Sequence, residues 1–261
     1  MRIIDIHTHI YPDDIAQKAT DSVKKFYNIG DSNMNGTESM LLHRGREAGI
    51  CRFVILPVAI RPDRVQHIND FILQKAGENP DYIPFGTVHA AMDALTEETE
   101  RVLAAGVKGI KMHPDSQRFP IDDPRLFPVY EAIRGRVPVL LHMGDHRYNY
   151  SHPVKLRKIL DMFPGLDAIA AHFGGYSMYD TALELLKDTD CVMDVSSSLM
   201  FMEDGKAEYY VNQYGAERLA FGTDYPMWDP VKETRRFFDL KLTESQFEQI
   251  THKTAEAILK L

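Results

Sequence analysis

Residues 3–12 read IIDIHTHIYP, an apolar run with imidazoles at His7 and His9, where isoleucine or valine would pack better. Side chains alternate faces along a strand, so the spacing predicts that the two histidines point the same way, with Asp5 below them. One histidine in such a run is ordinarily a satisfied core residue. Two aimed together ask for companions, and the rest of the chain offers them.

Seven further runs share the same apolar, β-branched or small-residue character: 52–59 (RFVILPVA), 83–89 (IPFGTVH), 107–113 (VKGIKMH), 137–144 (VPVLLHMG), 166–173 (LDAIAAHF), 191–198 (CVMDVSSS) and 219–224 (LAFGTD). The stretches between them hold helix-like patterns, among them TEETERVLAAG (96–106), DDPRLFPVYEAIRG (122–135), HPVKLRKILDMFPG (152–165) and YDTALELLKD (179–188). Strands alternating with helices imply parallel pairing and right-handed crossovers. Eight such units in 261 residues fit a closed (β/α)8 TIM barrel, an α/β fold. An open doubly wound sheet would carry a Gly-rich turn after its first strand, and none stands there. The whole of 1–261 reads as a single barrel domain. Residues 11–34, polar and containing Gly and Asn, are expected to form an active-site loop after the first strand.

Composition narrows the function classes. A net charge of −8 argues against nucleic acid or an anionic membrane as partner. No apolar stretch approaches the roughly 20 residues of a membrane helix, and Arg2 and Asp5 interrupt any secretory signal. Cys51 and Cys191 show no metal or redox spacing, fall at the beginnings of strand-like runs and read as packing residues, which suits a reducing cytoplasm. The expected partner is a small-molecule substrate.

In a parallel barrel the C-terminal strand ends gather at one mouth, where catalytic loops lie. Parity pairs Lys111 with His113 on the fourth run, Leu140 with His142 on the fifth, Ala168 and Ala170 with His172 on the sixth, and Ala220 and Gly222 with Asp224 on the eighth. Five of eight strands thus bring a metal ligand or proton carrier to one place. Imidazole and carboxylate suit Zn2+, and also Mn2+, Fe2+ or Co2+, and a catalytic ion needs three or four protein ligands with a position left for water.

The stretches DIHTH, GIKMHP, VLLHMG, AIAAHFGG and FGTDYP, spread from Asp5 to Pro226, resemble the amidohydrolase superfamily, and within it the amidohydrolase-2 branch that includes aminocarboxymuconate-semialdehyde decarboxylase. The resemblance implies a TIM barrel in which His7, His9, His142 and Asp224 hold one divalent metal, most simply Zn2+, with Mn2+ as the other choice. It implies that His172 orients water or polarises the scissile group, and that Asp224 doubles as a proton shuttle. It leaves Lys111 open between a carboxylated bridge to a second metal, a contact to a substrate carboxylate, and an ion pair. It also implies a homo-oligomer.

Substrate contacts must come from loops after the strands. The segment GDHRYNYSHP (144–153) carries His146 and Arg147, and Arg61, Arg118 and His113 stand after other strand ends. A guanidinium matches a carboxylate in bidentate fashion, so Arg147, five residues past His142, is the preferred anchor for a carboxylated substrate. Trp228 in YPMWDP (225–230) is expected either to wall the pocket or to pack the following helix, and 197–206 to form an apolar lid or subunit contact. The function expected is metal-dependent hydrolysis of a small, carboxylated ester, lactone or amide. Non-oxidative decarboxylation is the alternative, and a non-catalytic metal-binding barrel is the third reading.

Overall fold

β-Branched and aliphatic side chains fill the eight runs, and each run carries strand in the computed structural model, which describes residues 2–30 and 33–261. The strands are β1 (Ile4–Thr8), β2 (Arg52–Ile55), β3 (Tyr82–Pro84), β4 (Gly86–Thr87), β5 (Ile110–Met112), β6 (Val139–Leu141), β7 (Ala168–Ala170), β8 (Val192–Asp194) and β9 (Leu219–Ala220). Nine segments make eight barrel strands because the third run breaks at Phe85, beside Pro84, whose nitrogen has no hydrogen to give. The break is bridged: Phe85 N–H donates to the Ile55 carbonyl at 3.3 Å and Gly86 N–H to that of Gly109 at 2.9 Å. All neighbouring pairs are parallel. At the seam, Ile6 N–H donates to the Phe221 carbonyl (2.9 Å), Asp224 N–H to that of His7 (2.8 Å) and His9 N–H to that of Tyr225 (2.8 Å). These bonds join the first strand to the last and complete the expected barrel.

Alternation along the strands builds two cores. Ile4, Val54, Leu56, Ile83, Leu140, Ile169 and Ala220 meet across the barrel interior, and Ala255 and Leu259 of the C-terminal helix Thr254–Leu259 join them. Their neighbours Phe53, Ile55, Val139, Leu141, Ala168, Ala170 and Leu219 face the surrounding helices. A residue's parity therefore decides whether it can reach the mouth.

The opening stretch breaks that rule. Asp5 pairs with Phe53 and Thr8 with Ile55, three residues against two, so β1 contains a bulge. Ile6 joins the inner core, and His7 beside it also faces inward, meeting Lys111 and Asp194. Asp5 lies in register with outward-facing Phe53, and its carboxylate accepts from Thr223 Oγ1 (2.6 Å), Thr223 N–H (3.0 Å) and His7 N–H (3.1 Å). The expectation that Asp5 shares a face with the two histidines is thus corrected. Asp5 instead ties β1 to the segment after β9.

Of residues 11–34, 31 and 32 lie outside the described residues, and the others do not form a loop throughout. They carry α1 (Asp13–Tyr27), with Asp13 and Asp14 in its first turn, Lys24 and Lys25 in its last, and Asn28 in the left-handed conformation that ends it. Ala16, Thr20 and Lys24 turn one face inward at a spacing of four. After α1 come α2 (Glu38–Glu47) and α3 (Val65–Glu78). Cys191 is buried as expected, whereas Cys51 is exposed, its Sγ 3.1 Å from the Ile3 carbonyl. Among the described residues, no helix is long and apolar enough to cross a membrane.

Candidate metal centre

His7 lies on β1, His9 just past its end and Asp224 on the segment after β9, where the first and last strands meet at the barrel seam. Asp224 Oδ1 stands 3.5 Å from both His7 Nε2 and His9 Nε2. The other ring nitrogens are held: His9 Nδ1 donates to the Leu56 carbonyl (2.8 Å), and His7 Nδ1 to Asp194 Oδ2 (2.7 Å). A carbonyl can only accept, so the His9 proton sits on Nδ1 and its Nε2 presents a lone pair. Two imidazole lone pairs and a carboxylate oxygen, all acceptors, converge beyond ordinary hydrogen-bond length. Such a donor set fits a divalent cation, with tautomers fixed from behind as metal-binding histidines require. Asp224 is steadied on its other oxygen by the Ser197 hydroxyl, which in turn accepts from Trp228 Nε1 (2.7 Å). Gly222 makes the close approach possible: a Cβ there would stand 2.9 Å from that of His7.

Asp194 is the residue that sequence reading passed over. Fully buried, it takes His7 on Oδ2, and on Oδ1 the N–H groups of His172 (3.1 Å) and Ser196 (3.0 Å) with the Ser196 hydroxyl (2.5 Å). The signal was available in CVMDVSSS, where Asp194 shares parity with Ser196 and pairs with inward-facing Ala220.

His142 lies in the same pocket, in a second group. Its Nδ1 is 3.0 Å from His172 Nε2, and its Nε2 is 3.2 Å from the Tyr27 hydroxyl and 3.8 Å from Asp115 Oδ2. Tyr27 also lies 2.6 Å from His113 Nε2, and the His113 and His142 rings stack at 4.0 Å. The compact donor groups are accordingly His7–His9–Asp224, His7–His172–Asp194 and His113–Asp115–His142. Strand parity alone would send His172 outward with Ala168 and Ala170. A left-handed backbone at His172 (φ 61°) and Phe173 (φ 50°) turns it back, and its Nδ1 donates to the Ser196 carbonyl at 3.0 Å. The histidine is where sequence reading put it, by a different route.

Electrostatics follow from burial. Burial and nearby Lys111 pull His7 down to about 4. Burial, with the neighbouring histidines and Lys111, keeps His113 and His142 well below the usual imidazole range. These rings are neutral and able to bind a cation. Burial alone would raise Asp224 and Asp194, yet His7 and His172 outweigh it and hold both carboxyls ionised. Lys111, fully buried with Nζ 3.3 Å from His7 Nε2, is brought down to about 8 by burial, against the pull of Asp194 and Asp224.

A cavity of about 510 Å³ opens above this centre. His7, His9, His113, His142, His172 and Asp224 form its floor, and Ile15, Val23 and Phe26 of α1 with Ile68 and Phe71 of α3 form apolar walls. Arg147 and His146 do not line it. The Arg147 guanidinium grips Asp145 (2.9 and 2.6 Å), donates to the Phe26 carbonyl (2.5 Å) and lies over the Phe26, Tyr27 and Tyr148 rings. It fastens the loop after β6 to the end of α1. His146 is exposed, its Nδ1 2.8 Å from Ser177 Oγ. The anchoring role expected of Arg147 is corrected, because its guanidinium is already engaged, and the substrate contact expected of His146 is not supported, because that residue lies off the cavity. His113 does line the cavity, as do Arg61 and Arg118. Trp228 braces Ser197 instead of walling the pocket, and the segment after β8 folds into a short turn of helix, Leu199–Phe201, with Phe201 against Trp228 and Tyr176. Tyr27 and Tyr176 went unnoticed because α1 was read as a loop and because Tyr176 follows HFGG without strand spacing.

Comparison with known proteins agrees with this architecture. An amidohydrolase family model matches residues 4–261. An uncharacterised TIM-barrel protein from Bordetella bronchiseptica superposes with a TM-score of 0.83 at 19% identity, over 100% of this chain and 99% of that one. A dihydroxybenzoic acid decarboxylase from a Polaromonas species, with bound manganese and the inhibitor 2-nitroresorcinol, gives 0.75 at 15% identity over 99% and 97%. A probable 2-pyrone-4,6-dicarboxylic acid hydrolase from Acinetobacter baumannii, with citric acid bound, gives 0.70 at 16% over 100% of each. At these identities the likeness is one of fold. No curated protein matches the chain.

Proposed function

The chain belongs to the amidohydrolase family, whose model spans residues 4–261, and on that premise we propose that it is a metal-dependent hydrolase of a small carboxylated ester, lactone or amide. The observation that carries the reading is Asp224 Oδ1 facing two fixed imidazole lone pairs at 3.5 Å beneath an open cavity. His7, His9 and Asp224 would hold the ion, with His142 as the fourth ligand once its Nε2 gives up the Tyr27 hydroxyl, and Zn2+ is our first choice over Mn2+. When bound, such an ion supplies Lewis acidity to a carbonyl and makes water acid enough to attack it near neutral pH.

The protein's own groups then have defined tasks. Asp224, held ionised, takes a proton from the attacking water and returns it to the leaving group, as a positioned carboxylate can. Ser197, itself fixed by Trp228, keeps the accepting oxygen of Asp224 aimed. His172, pinned through Nδ1 to Ser196, presents Nε2 towards His142 and orients the group under attack. Lys111 does not line the cavity; its Nζ stands on the cation-facing side of His7, 3.3 Å from Nε2, and we assign it there as an unmodified amine that bridges nothing.

Decarboxylation is the second reading, favoured by the apolar walls of the cavity. Such walls strip water from a carboxylate and lower the cost of losing CO2. A panel of aryl esters, lactones, amides and hydroxybenzoates in 18O water separates the two. The expected result is 18O in a new carboxylate with no CO2 released. CO2 evolution without 18O uptake would overturn the hydrolytic reading.

A further inference from the structure

The cavity mouth carries a charge pattern opposite to that of the molecule. The chain has a net charge of −8, yet the described residues lining the cavity include Arg61, Arg64 and Arg118 and a single acid, Asp224 on the floor. A cation held on that floor would cancel the acid, leaving the mouth basic. Arg61 is engaged by Asp63 (2.6 Å). Arg118 is exposed, and among the described residues its guanidinium makes no hydrogen bond or ion pair; its backbone ends the short helix Pro114–Gln117 in the left-handed conformation (φ 61°), with its N–H on the Pro114 carbonyl. Beside these cations, two isoleucines stay open to solvent, Ile15 at 46% and Ile60 at 63%, both on the cavity lining. Large apolar side chains left bare at a pocket mouth mark a surface that a ligand covers.

We propose that the substrate is an amphiphilic carboxylate. Its anionic end is gripped at the mouth by Arg118 with Arg64, and its apolar body lies along α1 and α3 between the mouth and the metal centre. A volume of about 510 Å³ accommodates a molecule well beyond a two- or three-carbon acid. The fork of Arg118 suits a carboxylate, and the apolar walls exclude a second charge along the body. The proposal rests on the metal-centre reading only for which end reacts; the binding mode stands on the mouth and walls.

Calorimetric titration of the purified, metal-loaded protein with 4-phenylbutyrate, its neutral amide and acetate tests this without turnover. Arg118→Asn is the variant of choice, because asparagine accepts the left-handed backbone. The acid should bind the parent at least tenfold more tightly than the amide, and Arg118→Asn should remove that preference while leaving the amide unchanged. Arg64→Gln should give a smaller loss in the same direction. The preference should persist in 0.5 M NaCl, where mere long-range steering is screened. Equal binding of acid and amide, an unaltered Arg118→Asn variant, saturation by acetate as tight as by phenylbutyrate, or loss of the preference in salt would each overturn the proposal. Arg118-dependent binding with no turnover in the substrate panel would support it while sinking the hydrolytic reading.

Discussion

Asp194 Oδ2 lies 2.7 Å from His7 Nδ1, with both side chains out of solvent. This pair fixes which nitrogen of His7 is free for a cation and raises that nitrogen's basicity, the arrangement by which a carboxylate behind a histidine tightens metal binding. Asp194→Asn keeps an oxygen to accept from Nδ1 but removes the charge. Metal affinity should fall about 10- to 100-fold, measured by chelator competition on the refolded or native protein. Parent-like affinity would mean that His7 is not a ligand.

Lys111 bears on the ion count. Its neighbour at 3.3 Å is His7 Nε2, and burial leaves its amine near pKa 8, where part of the population is neutral and nucleophilic. That permits carbamate formation without requiring it. We expect one divalent ion per chain by elemental analysis, unchanged when metal is loaded in excess bicarbonate. Two ions, falling to one in Lys111→Met, would establish the bridged alternative.

The barrel and most of its site were legible in the sequence because both follow from periodicity. His7, His9, His142, His172 and Asp224 all reach one mouth, since strand ends in a parallel barrel must. What escaped had physical reasons. The bulge in β1 and the left-handed turn at His172 are backbone irregularities that no hydrophobic pattern encodes, and each reverses a parity argument. Asp194 was hidden behind the serines that follow it. α1 was missed because its exposed face is polar, although its acidic start and basic end carried the helix signal. Arg147 was misread because sequence does not show that Asp145, two residues earlier, already occupies its guanidinium.

Glu233 gives a pH signature away from the metal. It is 3% exposed in helix Pro230–Phe238, and burial raises its carboxyl to about 7 despite a contact with Arg236. A folded-state pKa above the unfolded value means that the native state holds the proton more tightly, so stability is full below about 4.5 and falls as pH rises through 7. Glu233→Gln removes that penalty. Its gain over the parent should be near zero at pH 4.5 and on the order of 2–3 kcal/mol at pH 8, allowing for the lost Arg236 contact. Denaturant melts of the metal-free protein at both pH values provide the check, and a gain that does not grow with pH would refute it.

Gly222 tests whether the seam positions the ligands. Its missing Cβ leaves room for that of His7, which an added methyl would meet at 2.9 Å, closer than such carbons tolerate. Neither partner can swing away, because His7 is pinned to Asp194 behind it and lies on a strand bonded to the segment after β9. Gly222→Ala should therefore cost about 1–3 kcal/mol, as overpacking in a filled core does, and it should displace His7 from Asp224. The expected outcome is a folded barrel by circular dichroism that retains metal poorly after gel filtration. If Gly222→Ala loses stability but keeps its metal at parent affinity, then His7 does not depend on this close contact to reach the ion.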